Sequence, residues 1–160
     1  MTSFLFISIV GSANLPNQNQ SLQTLAIETI KVTKVPVDQN LAVWSLDTET
    51  KKYKLSMTVN GQIEKATNGF YVINYVTLQG NIQRTYYFDK NGEMFTGWLK
   101  TIDNKTYFFD TDKTSNEGAM AIGWKEIQGD WYYFNIDGSM LVDNITPDGF
   151  RLSADGKWIK

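Results

Sequence analysis

Residues 123–140 read GWKEIQGDWYYFNIDGSM. Two short runs rich in aromatic and β-branched residues flank the pair Gln128-Gly129, and each run has the length and composition of a β-strand. Glycine supplies the positive φ that a tight two-residue hairpin turn requires. A second turn pair, Asp137-Gly138, follows directly. The segment therefore predicts a β-hairpin that leads into another tight turn.

The same arrangement recurs towards the N-terminus. Three segments with an aromatic triplet align, 85–89 (TYYFD), 106–110 (TYFFD) and 131–135 (WYYFN). The equivalent residues Tyr86, Tyr107 and Tyr132 follow one another in steps of 21 and 25, and the longer step contains the polar insert 111–117 (TDKTSNE). Each triplet leads to a Gly-x-Met signature, and two of these lead on to a Gly-Trp pair. The signatures are Gly92-Glu93-Met94, Gly118-Ala119-Met120 and Gly138-Ser139-Met140, and the pairs are Gly97-Trp98 and Gly123-Trp124.

Fainter repeats extend the pattern at both ends. Near the C-terminus we interpret Gly149-Phe150 as a degraded Gly-Trp pair, with Trp158 following it. On the N-terminal side, Trp44 starts the pattern, and Gly69-Phe70-Tyr71 resembles the start of a triplet such as Asp130-Trp131-Tyr132. Turn pairs remain frequent throughout, which favours many short hairpins over a few long strands.

A hairpin of this size cannot bury its aromatic face alone, whereas stacked hairpins cover one another. The sequence therefore predicts an all-β solenoid of stacked β-hairpin repeats with a short N-terminal β-rich segment. We divide the chain into four segments: residues 1–13 form a possible truncated signal peptide, residues 14–43 a linker or N-terminal strand segment, residues 44–84 degenerate hairpin repeats, and residues 85–160 the well-formed repeats.

Composition removes several classes of function. The 160 residues include no cysteine and no histidine, and the net charge is −2. Disulfides, zinc–thiolate sites and the commonest general base are absent, so we predict no enzyme activity, no catalytic residues, no metal site and no cofactor. A near-neutral charge does not indicate nucleic-acid binding. No apolar stretch is long enough to predict a membrane span.

The run from Gly123 to Met140 resembles one full repeat of the choline-binding, or cell-wall-binding, family, which is related to repeats of glucan-binding proteins and clostridial toxins. The resemblance is specific over residues 85–160 and covers 44–84 more loosely. It implies a left-handed superhelix with ligand sites in the grooves between consecutive hairpins. Aromatic side chains wall these sites, because π-faces and apolar contact hold a quaternary ammonium that donates no hydrogen bond.

Carried over to this chain, the resemblance implies a ligand cage of Trp124, Trp131 and Phe150, with Met140 nearby. The preceding groove would use Trp98, with Thr106 in place of the wall that aligns with Trp131. The expected function is non-catalytic binding of choline-type ligands at a bacterial cell wall or surface, by a secreted protein. The expected partner is choline-substituted teichoic acid or a surface glycan, and a homodimer is possible.

Two alternatives stay open at this point. The aromatic side chains could stack on the sugar rings of a glucan or host carbohydrate, with Asp130, Asn135 and Gln128 as polar partners. The repeats could instead form a structural or adhesive spacer with vestigial sites, which the threonines Thr85 and Thr106 favour. The methionines and most triplet aromatics are then packing residues.

Overall fold

The computed structural model describes residues 31–32 and 37–159 of the chain. The predictions for residues 1–13, and for most of 14–43, lie outside the described residues. The described part consists of short β-strands, turns and one 3-10 helix, which confirms the all-β hairpin stack. The elements are β1 Lys31–Val32, β2 Val37–Asp38, the 3-10 helix Gln39–Leu41, β3 Ala42–Leu46, β4 Tyr53–Val59, β5 Gln62–Lys65, β6 Gly69–Thr77, β7 Gly80–Phe88, β8 Gly97–Lys100, β9 Thr106–Phe109, β10 Gly123–Ile127 and β11 Asp130–Phe134.

Consecutive strands pair as antiparallel hairpins. Strands β3, β4 and β5 form a three-stranded sheet, while β8–β9 and β10–β11 are two-stranded hairpins. The β6–β7 hairpin is longer, with nine residues in each strand, and the short strands β1 and β2 both pair with β6 in parallel. The predicted division between residues 84 and 85 falls inside β7.

Turn residues adopt the backbone conformation that their types favour. Asn60 and Gly61 have φ of 51° and 76°, and Gln128 and Gly129 have φ of 56° and 87°. Two successive positive values define the type I′ turn, whose twist matches that of the strands it joins. Asparagine and glycine tolerate this region best, so the sequence of each turn fixes the register of its hairpin.

A common register relates the hairpins to one another. Gly97 pairs with Phe109, and Gly123 pairs with Phe134. Gly69 pairs with Phe88 in the same way, so the pair Gly69-Phe70 occupies the Gly-Trp position. The expectation that Gly69-Phe70-Tyr71 starts an aromatic triplet was therefore wrong: the residues are similar in type, but the strand pairing places them on the other strand of the hairpin.

Residues 143–153 form one more hairpin at the C-terminal end. Asp143 N–H donates to Ser153 O, and Leu152 N–H donates to Asn144 O, each at 2.8 Å. Leu152 then bridges to Trp158, as Phe134 bridges to Met140. By this register Phe150 matches Tyr132, the second residue of an aromatic triplet. The interpretation of Gly149-Phe150 as a degraded Gly-Trp pair was therefore wrong.

Methionine packs each hairpin onto the next. A Cβ added at Gly118 would lie 2.3 Å from Sδ of Met94, and one at Gly138 would lie 2.3 Å from Sδ of Met120. Gly156 stands in the same relation to Met140, at 2.9 Å from its Sδ. From the second signature onward, Gly-x-Met and its C-terminal counterpart are therefore packing devices, in which Gly118, Gly138 and Gly156 leave room for the preceding methionine.

Aromatic side chains dominate the interior. Phe88, Phe109 and Phe134, the equivalent last residues of successive returning strands, are each 0% exposed. Burial raises the pKa of the Tyr87 hydroxyl to about 12, as expected for a group whose charged form is costly inside a core. The buried triplets are thus mainly structural, and ligand contact is left to the residues at the edges between hairpins.

Candidate functional site

Four equivalent grooves lie between consecutive hairpins of the described chain. Each begins with an inner aromatic residue on the first strand of a hairpin: Trp44, Phe70, Trp98 or Trp124. Their partners across the hairpin occupy one register position, namely Leu55, Tyr87, Phe108 and Tyr133. The same four aromatics therefore repeat one structural position, and we number the grooves first to fourth in this order.

A backbone hydrogen bond fixes the next two positions of each groove. We call the residue directly before the second triplet position of the returning strand the wall residue of a hairpin: Tyr53, Thr85, Thr106 or Trp131. The residue at the methionine position of the following Gly-x-Met signature donates its N–H to the carbonyl oxygen of this wall residue. The bonds are Met94 to Tyr53 at 2.7 Å, Met120 to Thr85 at 2.8 Å, Met140 to Thr106 at 2.7 Å and Trp158 to Trp131 at 2.8 Å. Wall and methionine positions therefore meet across every hairpin junction.

Each groove is completed by an aromatic residue of the following hairpin, which packs against the inner aromatic residue. This residue occupies the register position of Tyr132. Trp44–Tyr86, Phe70–Tyr107, Trp98–Tyr132 and Trp124–Phe150 have ring centroids 4.9, 5.3, 5.1 and 5.7 Å apart. The complete sets are Trp44, Tyr53, Tyr86 and Met94; Phe70, Thr85, Tyr107 and Met120; Trp98, Thr106, Tyr132 and Met140; and Trp124, Trp131, Phe150 and Trp158.

The fourth groove is an aromatic cage. Trp124, Trp131, Phe150 and Trp158 surround a cavity of about 210 Å³. Trp124 meets Trp131 at 6.4 Å and Trp158 at 6.5 Å, and Phe150 meets Trp158 at 5.6 Å, with interplanar angles between 69° and 83°. The rings thus stand nearly perpendicular to one another, and Trp131 and Phe150 are 39% and 42% exposed. This geometry presents ring faces to a ligand from several sides.

A carboxylate fixes the orientation of the central ring. The indole N–H of Trp124 donates to Oδ2 of Asp148 at 2.8 Å. Hydrogen bonds from the Thr146 hydroxyl and from this indole lower the pKa of the Asp148 carboxyl below its ordinary value. Asp148 is therefore ionised at neutral pH, and its negative charge lies beside the cage, where it favours a cationic ligand.

The first groove is a second cage, which the sequence did not reveal. Trp44 contacts Tyr53 at 6.5 Å and Tyr86 at 4.9 Å, with interplanar angles of 85° and 69°. Its cavity also measures about 210 Å³ and is lined in addition by Tyr75 and by part of the insert 113–117. The Tyr75 and Tyr86 hydroxyls lie 3.1 Å apart, in hydrogen-bonding contact. Unlike the fourth groove, this cage therefore has polar groups at its edge.

The two central grooves lack one aromatic wall. Thr85 and Thr106 stand where the outer grooves have Tyr53 and Trp131. In the third groove Trp98 packs edge-on against Phe108 at 5.0 Å and Tyr132 at 5.1 Å. These contacts belong to the core rather than to an open cage.

The structure brings together three of the five residues that the sequence singled out. Trp124, Trp131 and Phe150 share the fourth groove, joined by Trp158, which the sequence analysis had not assigned to a site. Met140 instead belongs to the third groove with Trp98, and it packs against the buried cluster of Phe108, Ile127 and Phe134. The sequence did contain a signal for Trp158: Gly156-Lys157-Trp158 has the spacing of the Gly-x-Met signature, with tryptophan at the methionine position.

Metal chemistry finds no support in the described residues. Within residues 31–32 and 37–159, no three His, Cys, Asp or Glu side chains lie close enough to hold a metal ion. Asp112, in the polar insert 111–117, instead accepts hydrogen bonds from Thr114 and Ser115. The insert is thus stabilised by its own side chains.

Comparison with known proteins identifies the repeats. Profiles of the choline-binding repeat match residues 67–122 and 123–158. Glucosyltransferase-S of Streptococcus mutans is 36% identical over 98 residues, which is 58% of this chain and 6% of that enzyme. The chain therefore spans a small part of the length of this relative.

Two solved structures are similar to part of this chain. The choline binding domain of Spr1274 from Streptococcus pneumoniae is 28% identical, with a TM-score of 0.41, over 48% of this chain and 86% of that one. The modular Cpl-1 endolysin, solved with a peptidoglycan analogue, is 23% identical, with a TM-score of 0.47, over 78% of this chain and 38% of that one.

Proposed function

Since the chain belongs to the choline-binding repeat family, we propose that it is a non-catalytic module that binds choline-type quaternary ammonium groups in its fourth and first grooves. The observation that carries this proposal is the fourth groove. Its cavity of about 210 Å³ is lined by Trp124, Trp131, Phe150 and Trp158. Nothing in this lining offers a hydrogen bond to the cavity except at the ring edges, and a quaternary ammonium needs none.

Cation–π attraction supplies the binding energy. The negative face of each ring attracts a cation within about 6 Å, and one contact contributes about 0.5–2 kcal/mol. Three or four walls together give useful affinity without any ordered polar partner. The ionised Asp148 carboxylate, which accepts a hydrogen bond from the indole of Trp124, adds a long-range attraction for the cation. The first groove offers Trp44, Tyr53 and Tyr86 in the equivalent places.

The proposed partner is choline-substituted teichoic acid, and the proposed location is the bacterial cell wall or surface. Two cages on one chain allow a polymer to bind at two points, which raises the overall affinity by an effective-concentration effect. Within the described residues, no helix is both long and apolar enough to span a bilayer. We propose that the module holds a secreted protein at the wall through these cages.

The structural-spacer alternative applies to the two central grooves. Thr85 and Thr106 remove a wall from the second and third grooves, so these two junctions serve packing. The glycan alternative is not favoured at the fourth groove, because a sugar needs hydrogen-bonding groups beside the aromatic platform and this cage is lined by rings alone.

The proposal is tested by titrating choline chloride while following the amide resonances and intrinsic tryptophan fluorescence. We expect two sites. Trp131→Ala should weaken the C-terminal site by about two- to thirty-fold, the loss of one cation–π wall. Tyr53→Ala should weaken the other site alone. Both side chains are partly exposed, at 39% and 37%, so neither substitution empties the core.

Two controls isolate the chemistry. Trp131→Phe keeps a ring face and should retain most of the affinity. The uncharged isostere 3,3-dimethyl-1-butanol has the shape of choline without its charge and should bind more weakly to the wild-type protein. Equal binding of choline and the isostere, or equal affinity of wild type and Trp131→Ala, would contradict a cation-binding cage.

A further inference from the structure

One cavity among the described residues lies outside the cages. It measures about 580 Å³, within the range of about 300–1,000 Å³ typical of small-molecule sites. It is bordered by the start of β8, by the end of β9 with the following residues 110–112, and by the end of β10. Only Trp98 belongs both to this cavity and to a groove, and that groove has no complete set of walls.

A fixed ion pair forms one side of the cavity. Nζ of Lys125 donates to Oδ2 of Asp110 at 2.6 Å, with the two side chains 33% and 11% exposed. The backbone N–H of Asp112 donates to the other oxygen of Asp110 at 3.0 Å. The Asp110 carboxylate is thus held in one orientation by a bond to each oxygen, and each oxygen keeps a further lone pair that can accept a hydrogen bond.

The lining combines charges of both signs with aromatic surface. Lys52 and Lys125 face the same space as Asp110, Asp112 and Glu126, while Trp98 and Phe108 supply apolar surface. A polyanion requires a basic surface, which this is not. A lone quaternary ammonium makes no use of lysines. A neutral ligand with many hydroxyl groups matches the acidic and the basic side chains of the lining. Carboxylates accept charge-assisted hydrogen bonds from hydroxyl groups, and ammonium groups donate them.

We infer that this cavity is a saccharide-binding site for neutral pyranose units, separate from the cages. The hydroxyl groups of a sugar bond to Asp110, Asp112 and Lys52, and the apolar face of the ring packs on Trp98. Alternating donors and acceptors around an aromatic surface suit an oligosaccharide. The inference does not depend on choline binding, since the cavity contains no residue of the first or fourth groove.

Amide chemical shifts measured on the full chain test this inference. Maltotriose, isomaltotriose and N,N′,N″-triacetylchitotriose, all uncharged, are titrated separately to millimolar concentration. We expect at least one of them to give saturable shifts at residues 96–98, 110–112 and 125–128. Saturating choline and Trp131→Ala should leave these shifts unchanged.

Two variants and one matched control locate the site. Lys52→Ala removes a donor from the lining and should weaken saccharide binding by roughly tenfold, whereas Lys51→Ala makes the same charge change at the exposed neighbouring residue and should have no effect. Thr111→Trp places a bulky ring at the exposed rim and should abolish saccharide binding while choline binding persists.

Three results would overturn the inference. These are the absence of saturable shifts at the cavity with all three sugars, sugar binding that survives Thr111→Trp, and sugar binding that is lost in Trp131→Ala or Tyr53→Ala. The last result would place the sugar in the cages. A choline titration of the same samples shows separately whether the cages work, so failure of one proposal is distinguishable from failure of the other.

Discussion

At the scale of single residues, small size and positive φ explain the glycines of the Gly-x-Met signature. Gly138 has φ of 82° and leaves room for Met120, whose Sδ would lie 2.3 Å from an added Cβ. Gly129 has a similar φ of 87° but nothing within 4 Å of an added Cβ. The two glycines therefore separate the cost of backbone strain from the cost of a steric clash.

We expect Gly138→Ala to lower the free energy of unfolding by about 1–3 kcal/mol more than Gly129→Ala, the usual cost of overpacking. Both variants share the strain of an L-residue at positive φ. Thermal and urea unfolding measure the difference. Adding Met120→Ala should remove the clash. The double variant should therefore be less destabilised than the sum of the two single substitutions. Equal destabilisation by the two glycine substitutions would mean that the methionine moves aside without cost.

The family resemblance predicted part of the candidate site. It placed Trp124, Trp131 and Phe150 together because they match the Gly-Trp tryptophan, the first triplet aromatic and an aromatic of the next repeat. Met140 was misplaced: it follows Trp131 in sequence, but its backbone bonds to Thr106 of the preceding hairpin. A groove combines two hairpins, so nearness in sequence does not show which side of a hairpin a residue serves.

At the scale of elements, strand register decides which grooves become cages. The wall position lies on the returning strand of each hairpin, three residues before the position that pairs with the Gly-Trp glycine in the repeats, and it holds Tyr53, Thr85, Thr106 and Trp131 in turn. The first cage escaped sequence analysis because its residues span positions 44–94 and Trp44 follows a valine instead of a glycine. The pairing of Trp44 with Leu55 identifies it with Trp124, whose partner is Tyr133.

A single wall substitution should therefore create a third cage. In the third groove, Trp98, Tyr132 and Met140 already occupy their positions, and Thr106→Trp would add the face that Trp131 provides in the fourth. We expect choline to shift the Met140 amide in this variant and not in the wild type, with an affinity gain of about 0.5–2 kcal/mol per added contact.

Leu78→Trp is the matched control for that experiment. Leu78 lies fully exposed at the tip of the β6–β7 hairpin, at 103% relative exposure, so an indole there adds aromatic surface without a groove. A choline response at Met140 that is equal in both variants would show that any added tryptophan suffices. No response in Thr106→Trp would show that the closed packing of Trp98 against Phe108 and Tyr132 excludes the ligand.

At the scale of the whole molecule, the hairpin stack of the described residues has complete cages at its first and last junctions. Hairpins contact mainly their neighbours, and in such arrays stability is set by each repeat and its interfaces. The four junction hydrogen bonds repeat one geometry, so their amide protons report on the four grooves separately. Local opening, unlike global unfolding, exposes one junction at a time.

Choline should slow hydrogen exchange at the two end junctions and leave the central ones unchanged. The amides of Trp158 and Met94 close the fourth and first grooves, and those of Met140 and Met120 close the grooves that lack a wall. At a choline concentration about ten times the dissociation constant, ligand binding should slow exchange at the end junctions by about tenfold, because opening requires release of the ligand. Exchange measured by NMR with sodium chloride as the ionic control resolves the four amides.

Equal slowing at all four amides would show that the chain opens as one cooperative unit. Slowing confined to the two central junctions would contradict the assignment of the cages to the first and last junctions.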